Sequence, residues 1–350
     1  MPVAKVIAPG FQTTVQDLGR FGYRHLGVPV SGGIDKWALR LANRLVGNDE
    51  GDAALEMTMS GPTLLFLRDC VAAITGADMA PQLSGQDAPM WQSFFCSAGD
   101  TLSFSYRRTG CRAYLAISGG VDVPPVLGSR STFLAAGFGG LNGRPLRAGD
   151  LVKTAEGDPS TAGLGNRLAH HLRPAYLPET RIKVIAGINA DRFSNYEYTK
   201  LFGLTFTVTR RLSRMGCFLD GPDIKVSGQA GSGESYPVAP GTIQVLPAGK
   251  PVVLLNDAQS TGGYPQIACI ISAELWKIGQ AMPGDKVTFE ATDQETAHQM
   301  LKNRHNELAL VEKVPRVEFR KKTSKGCYEI VLQNYPDNRK DINIKLNRGE

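Results

Sequence analysis

Five glycine-punctuated segments hold most of the residues in this chain that could do chemistry. The first, "APGFQTTVQDLGRFGYRHLGVPVSGGID" over residues 8–35, carries Gln12, Thr13, Thr14, Gln16, Asp17 and Arg20 yet has almost no apolar run. "SGGVDVPPVLGSRSTFLAAGFGG" adds Arg130, Ser131 and Thr132, and "LSRMGCFLDGP" adds Arg214. "SGESYPVAPGTIQVLP" contributes Glu234 and Gln244, and "NDAQSTGGYPQIA" contributes Asp257, Gln259, Thr261 and Tyr264. Amides and hydroxyls held between glycines can hydrogen-bond a small polar ligand while the backbone approaches it closely. An arginine among them supplies a two-pronged clamp for carboxylate or phosphate. Each segment alone reads as a structural turn, because turns favour these residue types anyway. Five in one chain point to a concave polar site. For Asp17 a turn-capping role and a site role stand side by side.

The familiar catalytic signatures are missing. "PGTIQVLPAGKP" ends in Gly-Lys-Pro at the wrong spacing for a phosphate-binding loop, and no strand–G-x-G-x-x-G–helix unit is present. No G-x-S-x-G elbow occurs. The five histidines form no H-E-x-x-H, and His170-His171 reads as solvent-facing. Six cysteines (Cys70, Cys96, Cys111, Cys217, Cys269, Cys327) show no C-x-x-C and no histidine at ligand spacing. They read as reduced, buried thiols, and no metal site is expected.

The elements that must position these segments are mostly strands. A chain of 350 residues with 39 glycines and 21 prolines suits two β-rich units with many tight turns. "PTLLFLRD", "CVAAITGAD", "DTLSFSYRR" and "CRAYLAISGG" are apolar or alternating runs bounded by Gly, Pro or Asp. One helix stands out in "IDKWALRLANRLVGND", where Ile34, Trp37, Ala38, Leu41 and Leu45 share a face and Gly47-Asn48 closes the end. The expected division is a first unit over 1–160, a linker over 161–179, a second unit over 180–292, and a helical and basic tail over 293–350 whose last stretch, "NYPDNRKDINIKLNRGE", is poorly ordered. The net charge of +6 sits almost wholly in that tail, with 12 Lys+Arg against 7 Asp+Glu from Leu301 onward. A neutral body with a basic end and no interleaved aromatics argues against nucleic-acid binding. "MPVAKVIAPG" lacks the apolar core of a signal peptide and no stretch reaches membrane-spanning length, so a cytoplasmic location is expected.

Several of these stretches carry a resemblance. "GFQTTVQDLGRFGYRHLGVPVSGGIDKWALRLANRLVGN", "ALEMTMSGPTLLF", "AYLAISGGVDVPPVLGSRST", "RMGCFLDGP" and "AQSTGGYPQIACIISAEL" resemble, in order from Val6 to Phe289, the KipA family. This is the biotin-dependent carboxyltransferase subdomain A and B family, also called allophanate hydrolase subunit 2 or the C component of 5-oxoprolinase. The chain departs from the pattern in "VSGGID" and in Ser213, where the family often has an aspartate before Arg214. The resemblance implies a mainly β fold of two tandem cyclophilin-like β-barrel domains with a few covering helices. It implies an ATP-using complex that opens 5-oxo-L-proline to L-glutamate, with a KipI-like protein (its B component) and a LamB/YcsF-like protein (its A component) as partners. Two alternatives remain: carboxyl transfer from carboxybiotin to urea or a similar amide, and non-catalytic binding of a KipI-type protein. Either reaction must polarise an unreactive amide and stabilise negative charge. Asp17, Arg20, Arg130, Glu234 and Asp257 are the candidate catalytic residues. Gln12, Thr14, Gln16, Ser131, Thr132, Arg214, Gln244, Gln259, Thr261 and Tyr264 are the candidate substrate-binding residues. Residues 8–35 are expected to form a polar loop lining a site or a seam with a partner protein.

Overall fold

The computed structural model describes residues 1–155, 163–227 and 234–312, and three further strands over 316–323, 326–334 and 340–347. The first half wraps two sheets around one core. A six-stranded sheet runs in the order Leu151–Lys153, Pro2–Ala8, Thr63–Phe66, Thr101–Phe104, Pro81–Leu83, Gln86–Asp87. A five-stranded sheet runs Gln12–Gln16, Ala54–Thr58, Thr109–Ile117, Cys70–Asp78, Ser93–Cys96. Val3, Val6, Leu64 and Phe66 of the first meet Leu55, Met57, Ile74 and Leu115 of the second.

Helix α1 (Lys36–Val46) covers the outer face of the five-stranded sheet. Because side chains alternate across a strand, Ala113, Leu115 and Ile117 enter the core while Tyr114 and Ala116 meet the helix. That strand is therefore apolar on both faces and reads as a continuous run in the sequence. Asp35 caps α1 by accepting from the Ala38 amide at 3.0 Å, and Gly47 ends it in the left-handed region at φ 82°.

The second half is a closed barrel of seven strands. They run Glu179–Ala186, Gln266–Ile270, Thr242–Val245, Pro251–Leu254, Gly216–Asp220, Thr205–Leu212 and Lys286–Ala291, and the last pairs in parallel with the first. Ile182, Val184, Phe206, Leu219, Ile243, Val253 and Phe289 fill the interior. Helices α2 (Asn195–Gly203) and α3 (Leu275–Gln280) lie against it, and α4 (Gln294–Glu307) follows the final strand. The chain is mainly β with covering helices.

Two expectations change. Residues 8–35 are not loop throughout, since Gln12–Gln16 is an edge strand paired in register with Ala54–Thr58. Its Thr13, Thr14 and Val15 are β-branched, which suits an extended backbone whatever their polarity. The terminal segment is helical only as far as Glu307, and then forms a three-stranded antiparallel sheet over Arg316–Thr323, Gly326–Asn334 and Lys340–Asn347. The two-residue alternation in "RVEFRKKT" and "DINIKLN" is the signal that its charge obscured.

Candidate functional site at the seam between the units

Asp17 follows the edge strand and ties down a loop more than a hundred residues away. Its carboxylate accepts from the Ser129 hydroxyl at 2.7 Å, the Ser131 hydroxyl, the Arg130 amide at 2.6 Å and the Gly19 amide at 2.8 Å. Arg20 is fully buried and donates to the carbonyls of Val126 and Ser131, both at 2.9 Å, with its guanidinium over the Phe138 ring. Burial draws its pKa down, against the pull of Asp17 and then Asp257. Gln16 donates to Thr14 Oγ1 and the Thr132 carbonyl, and Thr132 donates to the Val15 carbonyl. Arg130 spends its Nε on the Val123 carbonyl. The structure thus gathers Thr14, Gln16, Asp17, Arg20, Arg130, Ser131 and Thr132 into one knot that fixes residues 126–132 against the edge strand.

From there the chain crosses to the barrel. The Ser31 amide donates to the Asn256 carbonyl at 2.9 Å, and Arg24 donates to the Val238 carbonyl. Arg214 of the barrel grips Asp257 with Nε at 2.9 Å and Nη2 at 3.1 Å, and also bonds Glu56 of the first unit and the Gly32 carbonyl. Glu56 receives the Tyr114 hydroxyl at 2.8 Å and the Ile34 amide at 2.9 Å. Burial alone pushes the Glu56 carboxyl up, but Arg214 and Arg112 outweigh it and hold the pKa below the usual value. Arg214 is held above its ordinary value, since Asp257 and Glu56 overcome the desolvation that would lower it. A parallel set of contacts joins Gln280 of α3 to Asp35 at 2.9 Å and to the Cys111 and Arg112 amides. Glu56, Arg214 and Asp257 thus compensate one another, as buried charges require, whereas Asp35 is met only by neutral donors and burial pushes its pKa up.

A cavity of about 560 Å³ opens beside this seam, lined by Lys36, Trp37 and Arg40 of α1, by Asn256 and Trp276 of the second unit, and by Arg304 of α4. No aspartate or glutamate lines it. Desolvation draws the Lys36 ammonium down to about 8, with Asp17 opposing the shift. The buried Trp37 Nε1 and Asn256 Oδ1 have no hydrogen-bond partner. A largely apolar cleft with a few unpaired polar atoms and a perturbed amine has the character of a ligand site.

The remaining candidates lie elsewhere. Glu234 is exposed and accepts from the Tyr236 hydroxyl. Thr261 sits exposed in a two-residue strand paired with Tyr236–Pro237. Gln244 is buried and donates to the Tyr264 carbonyl at 3.1 Å. Gln259 is exposed, and Gln12 is half-buried opposite Thr58. No hydrogen bond or ion pair among the described residues joins Gln12, Glu234, Gln244, Gln259, Thr261 or Tyr264 to the Asp17 knot or to Arg214. Glu56, Tyr114, Gln280, Lys36, Trp37 and Arg304 escaped sequence reasoning. Their one visible signal was scarcity, because Trp37 and Trp276 are two of only three tryptophans. No group of three or more potential metal ligands occurs among the described residues, and no described helix is long and apolar enough to cross a membrane.

Comparison with known proteins sharpens this picture. Residues 26–291 match the family model described as "Carboxyltransferase domain, subdomain A and B". The chain is 37% identical to the C component of Escherichia coli 5-oxoprolinase over 298 residues, covering 84% of this chain and 92% of that protein. It is 36% identical to urea amidolyase of Saccharomyces cerevisiae over 311 residues, covering 85% of this chain but only 17% of that much longer protein. Among solved structures, the Kluyveromyces lactis urea amidolyase superposes with a TM-score of 0.82 at 31% identity, covering 95% of this chain and 22% of that one.

Proposed function

Because this chain belongs to the family of carboxyltransferase domains, subdomain A and B, we propose that it is the C component of an ATP-dependent 5-oxoprolinase, a complex that opens 5-oxo-L-proline to L-glutamate. The observation that supports the reading is the 37% identity to the E. coli 5-oxoprolinase component over 92% of that protein. Its partners in this reading are a KipI-like B component and a LamB/YcsF-like A component, and ATP belongs to the assembled complex. The seam cavity is the site. Lys36, whose amine is drawn down to about 8 by desolvation, is the acid/base group. Arg214, with all three nitrogens bonded, acts as a positioning residue rather than a substrate clamp, and Arg20 and Arg130 bind loop carbonyls away from the cavity lining. Asp257 holds Arg214, and Asp17 holds the loop of residues 129–131.

A second reading, carboxyl transfer onto urea or a related amide, is favoured by one observation. The K. lactis likeness extends over nearly the whole chain and so takes in residues beyond the barrel. Carboxybiotin bound there would supply the carboxyl group, and the cations of the same cavity would hold it. The two readings separate in one assay: ATP-dependent release of L-glutamate from 5-oxo-L-proline by this chain with its A and B components, each omitted in turn. Glutamate that requires this chain supports the first. A complete, soluble complex that releases none refutes it, and carboxybiotin-dependent carboxylation of urea then tests the second.

A further inference from the structure

We infer that Arg304, brought to the cavity by α4 from outside the family-matched residues, is its carboxylate-binding residue and selects amide substrates that bear a carboxylate. The inference rests on the cavity being the site proposed above.

Arg304 packs against two indoles. Its guanidinium carbon lies 3.9 Å from the ring centroid of Trp37 in the first unit and 5.1 Å from that of Trp276 in the second. Stacking on both indoles restrains the guanidinium and leaves only its edges free to bond. Nη1 is taken by Glu307 at 2.7 Å. Nε and Nη2 are buried and have no partner. Those two nitrogens form the side-on edge of a guanidinium, the same edge with which Arg214 grips both oxygens of Asp257. This edge is closed to solvent in the empty protein, and a carboxylate that reached it from the cavity would meet on Arg304 the geometry that Asp257 already satisfies on Arg214.

The surroundings favour an anion. Lys36 and Arg40 line the same space and no acidic residue does. Arg40 and Arg304 are each paired with a glutamate outside the lining, Glu50 and Glu307, whereas the Lys36 amine lies 4.9 Å from the centre of the Phe21 ring. Two buried donors without acceptors are costly for the empty protein, and a carboxylate removes that cost. The neutral amide of the same ligand has the unpaired Asn256 Oδ1 and Trp37 Nε1 in the cavity lining as an acceptor and a donor. A lactam that carries a carboxylate beside its ring nitrogen matches this set; urea, with no carboxylate, does not.

The test is calorimetric titration of the full chain with 5-oxo-L-proline, N-acetylglycine and 2-pyrrolidinone, the last being the lactam without its carboxylate. Arg304→Gln and Arg304→Lys are titrated beside the wild type, with thermal melts as the control for folding. The wild type should bind both carboxylates at least about tenfold tighter than 2-pyrrolidinone. Arg304→Gln should abolish that preference, and Arg304→Lys, which keeps the charge but not the fork, should restore only part of it. If the glutamine variant melts early, the lysine variant carries the comparison. A preference that survives in both variants, or a wild type without one, overturns the inference. Failure of the two proposals can be told apart. Glutamate release by the complex with an unchanged KM in Arg304→Gln removes the clamp and leaves the oxoprolinase reading intact. Arg304-dependent binding of N-acetylglycine, with no glutamate from the wild-type complex, removes the oxoprolinase reading and leaves the clamp.

Discussion

Replacing Arg214 by alanine should cost the protein about 3–4 kcal/mol of stability. The side chain is 4% exposed and touches four acceptors: both oxygens of Asp257, one of Glu56 and the Gly32 carbonyl. Removing one partner of a buried ion pair costs about 3–5 kcal/mol, because the other charge is left without compensation. Here two carboxylates are stranded, with side-chain exposures of 1% at Glu56 and 4% at Asp257. Glu56 keeps the Tyr114 hydroxyl, the Ile34 amide and Arg112 at 4.0 Å, which places the loss toward the lower end of the range. With a urea dependence of about 3 kcal/mol per molar, the unfolding midpoint should fall by roughly 1 M. The pH dependence gives an independent check. In the wild type the folded Glu56 pKa lies below its unfolded value. Its stabilising contribution is therefore complete above the unfolded pKa and fades as pH falls through the folded one. Without Arg214, burial dominates and the folded pKa rises above the unfolded value, so the variant is penalised most at neutral pH and recovers toward about pH 5. Urea melts of both proteins at about pH 5 and about pH 7.5, followed by tryptophan fluorescence, measure all of this. A loss below about 1 kcal/mol, or a deficit that does not change with pH, would refute the idea that this network locks the two units together.

Three further outcomes are expected. Asp17→Asn replaces a carboxylate that accepts four hydrogen bonds with an amide that has one oxygen, and should cost about 2–3 kcal/mol. Hydrogen exchange at the Arg130 amide should accelerate in that variant, and unchanged exchange would show that the loop is held by other contacts. Lys36 should titrate near 8 when isotope-labelled dimethyl-lysines are followed by NMR, alone among the lysines if the cavity is the cause, with the neutral amine gaining as pH rises. A Lys36 resonance titrating with the surface lysines near their usual value of about 10.4 would contradict the desolvated setting. Gly139→Ala combines a positive φ of 71° with a methyl group 2.1 Å from the Ser131 carbonyl oxygen, and should lose about 1–3 kcal/mol with loosening of the Asp17 knot. A melting temperature within a degree of the wild type would mean that the loop moves aside freely.

The sequence is most transparent where one physical signal dominates. The apolar stripe Ile34, Trp37, Ala38, Leu41, Leu45 with Gly47 beyond it marks α1 closely, and the strands 63–66, 70–78 and 109–117 follow from apolar runs between turn formers. Asp17, Arg130 and Ser131 were recognisable by type, yet their meeting across 114 residues is a property of the folded sheets. Glu56 and Gln280 were hidden for a different reason. Glu56 is the lone charge inside an apolar strand and Gln280 the last residue of a short helix, and either looks outward-facing until its partners are seen. Arg304 was obscured by its surroundings, as one cation among the many of a basic tail. Glu234, Gln259 and Thr261 show the opposite failure, because glycine-rich polar composition describes an exposed barrel rim as well as it describes a site.

The parallel pairing of the barrel's first and last strands also constrains how the molecule can be made. Lys183 of the strand Glu179–Ala186 bonds Glu290, 107 residues later, at 2.7 Å. A nascent chain that has displayed six of the seven strands still presents an unpaired edge, ready to recruit the edge of another chain. Closure waits for Ala291 to leave the ribosome, and only then does α4 follow to carry Arg304 back against its two indoles. A premature stop before that point should therefore yield aggregation rather than a smaller soluble barrel, because the edges of both Glu179–Ala186 and Thr205–Leu212 stay open.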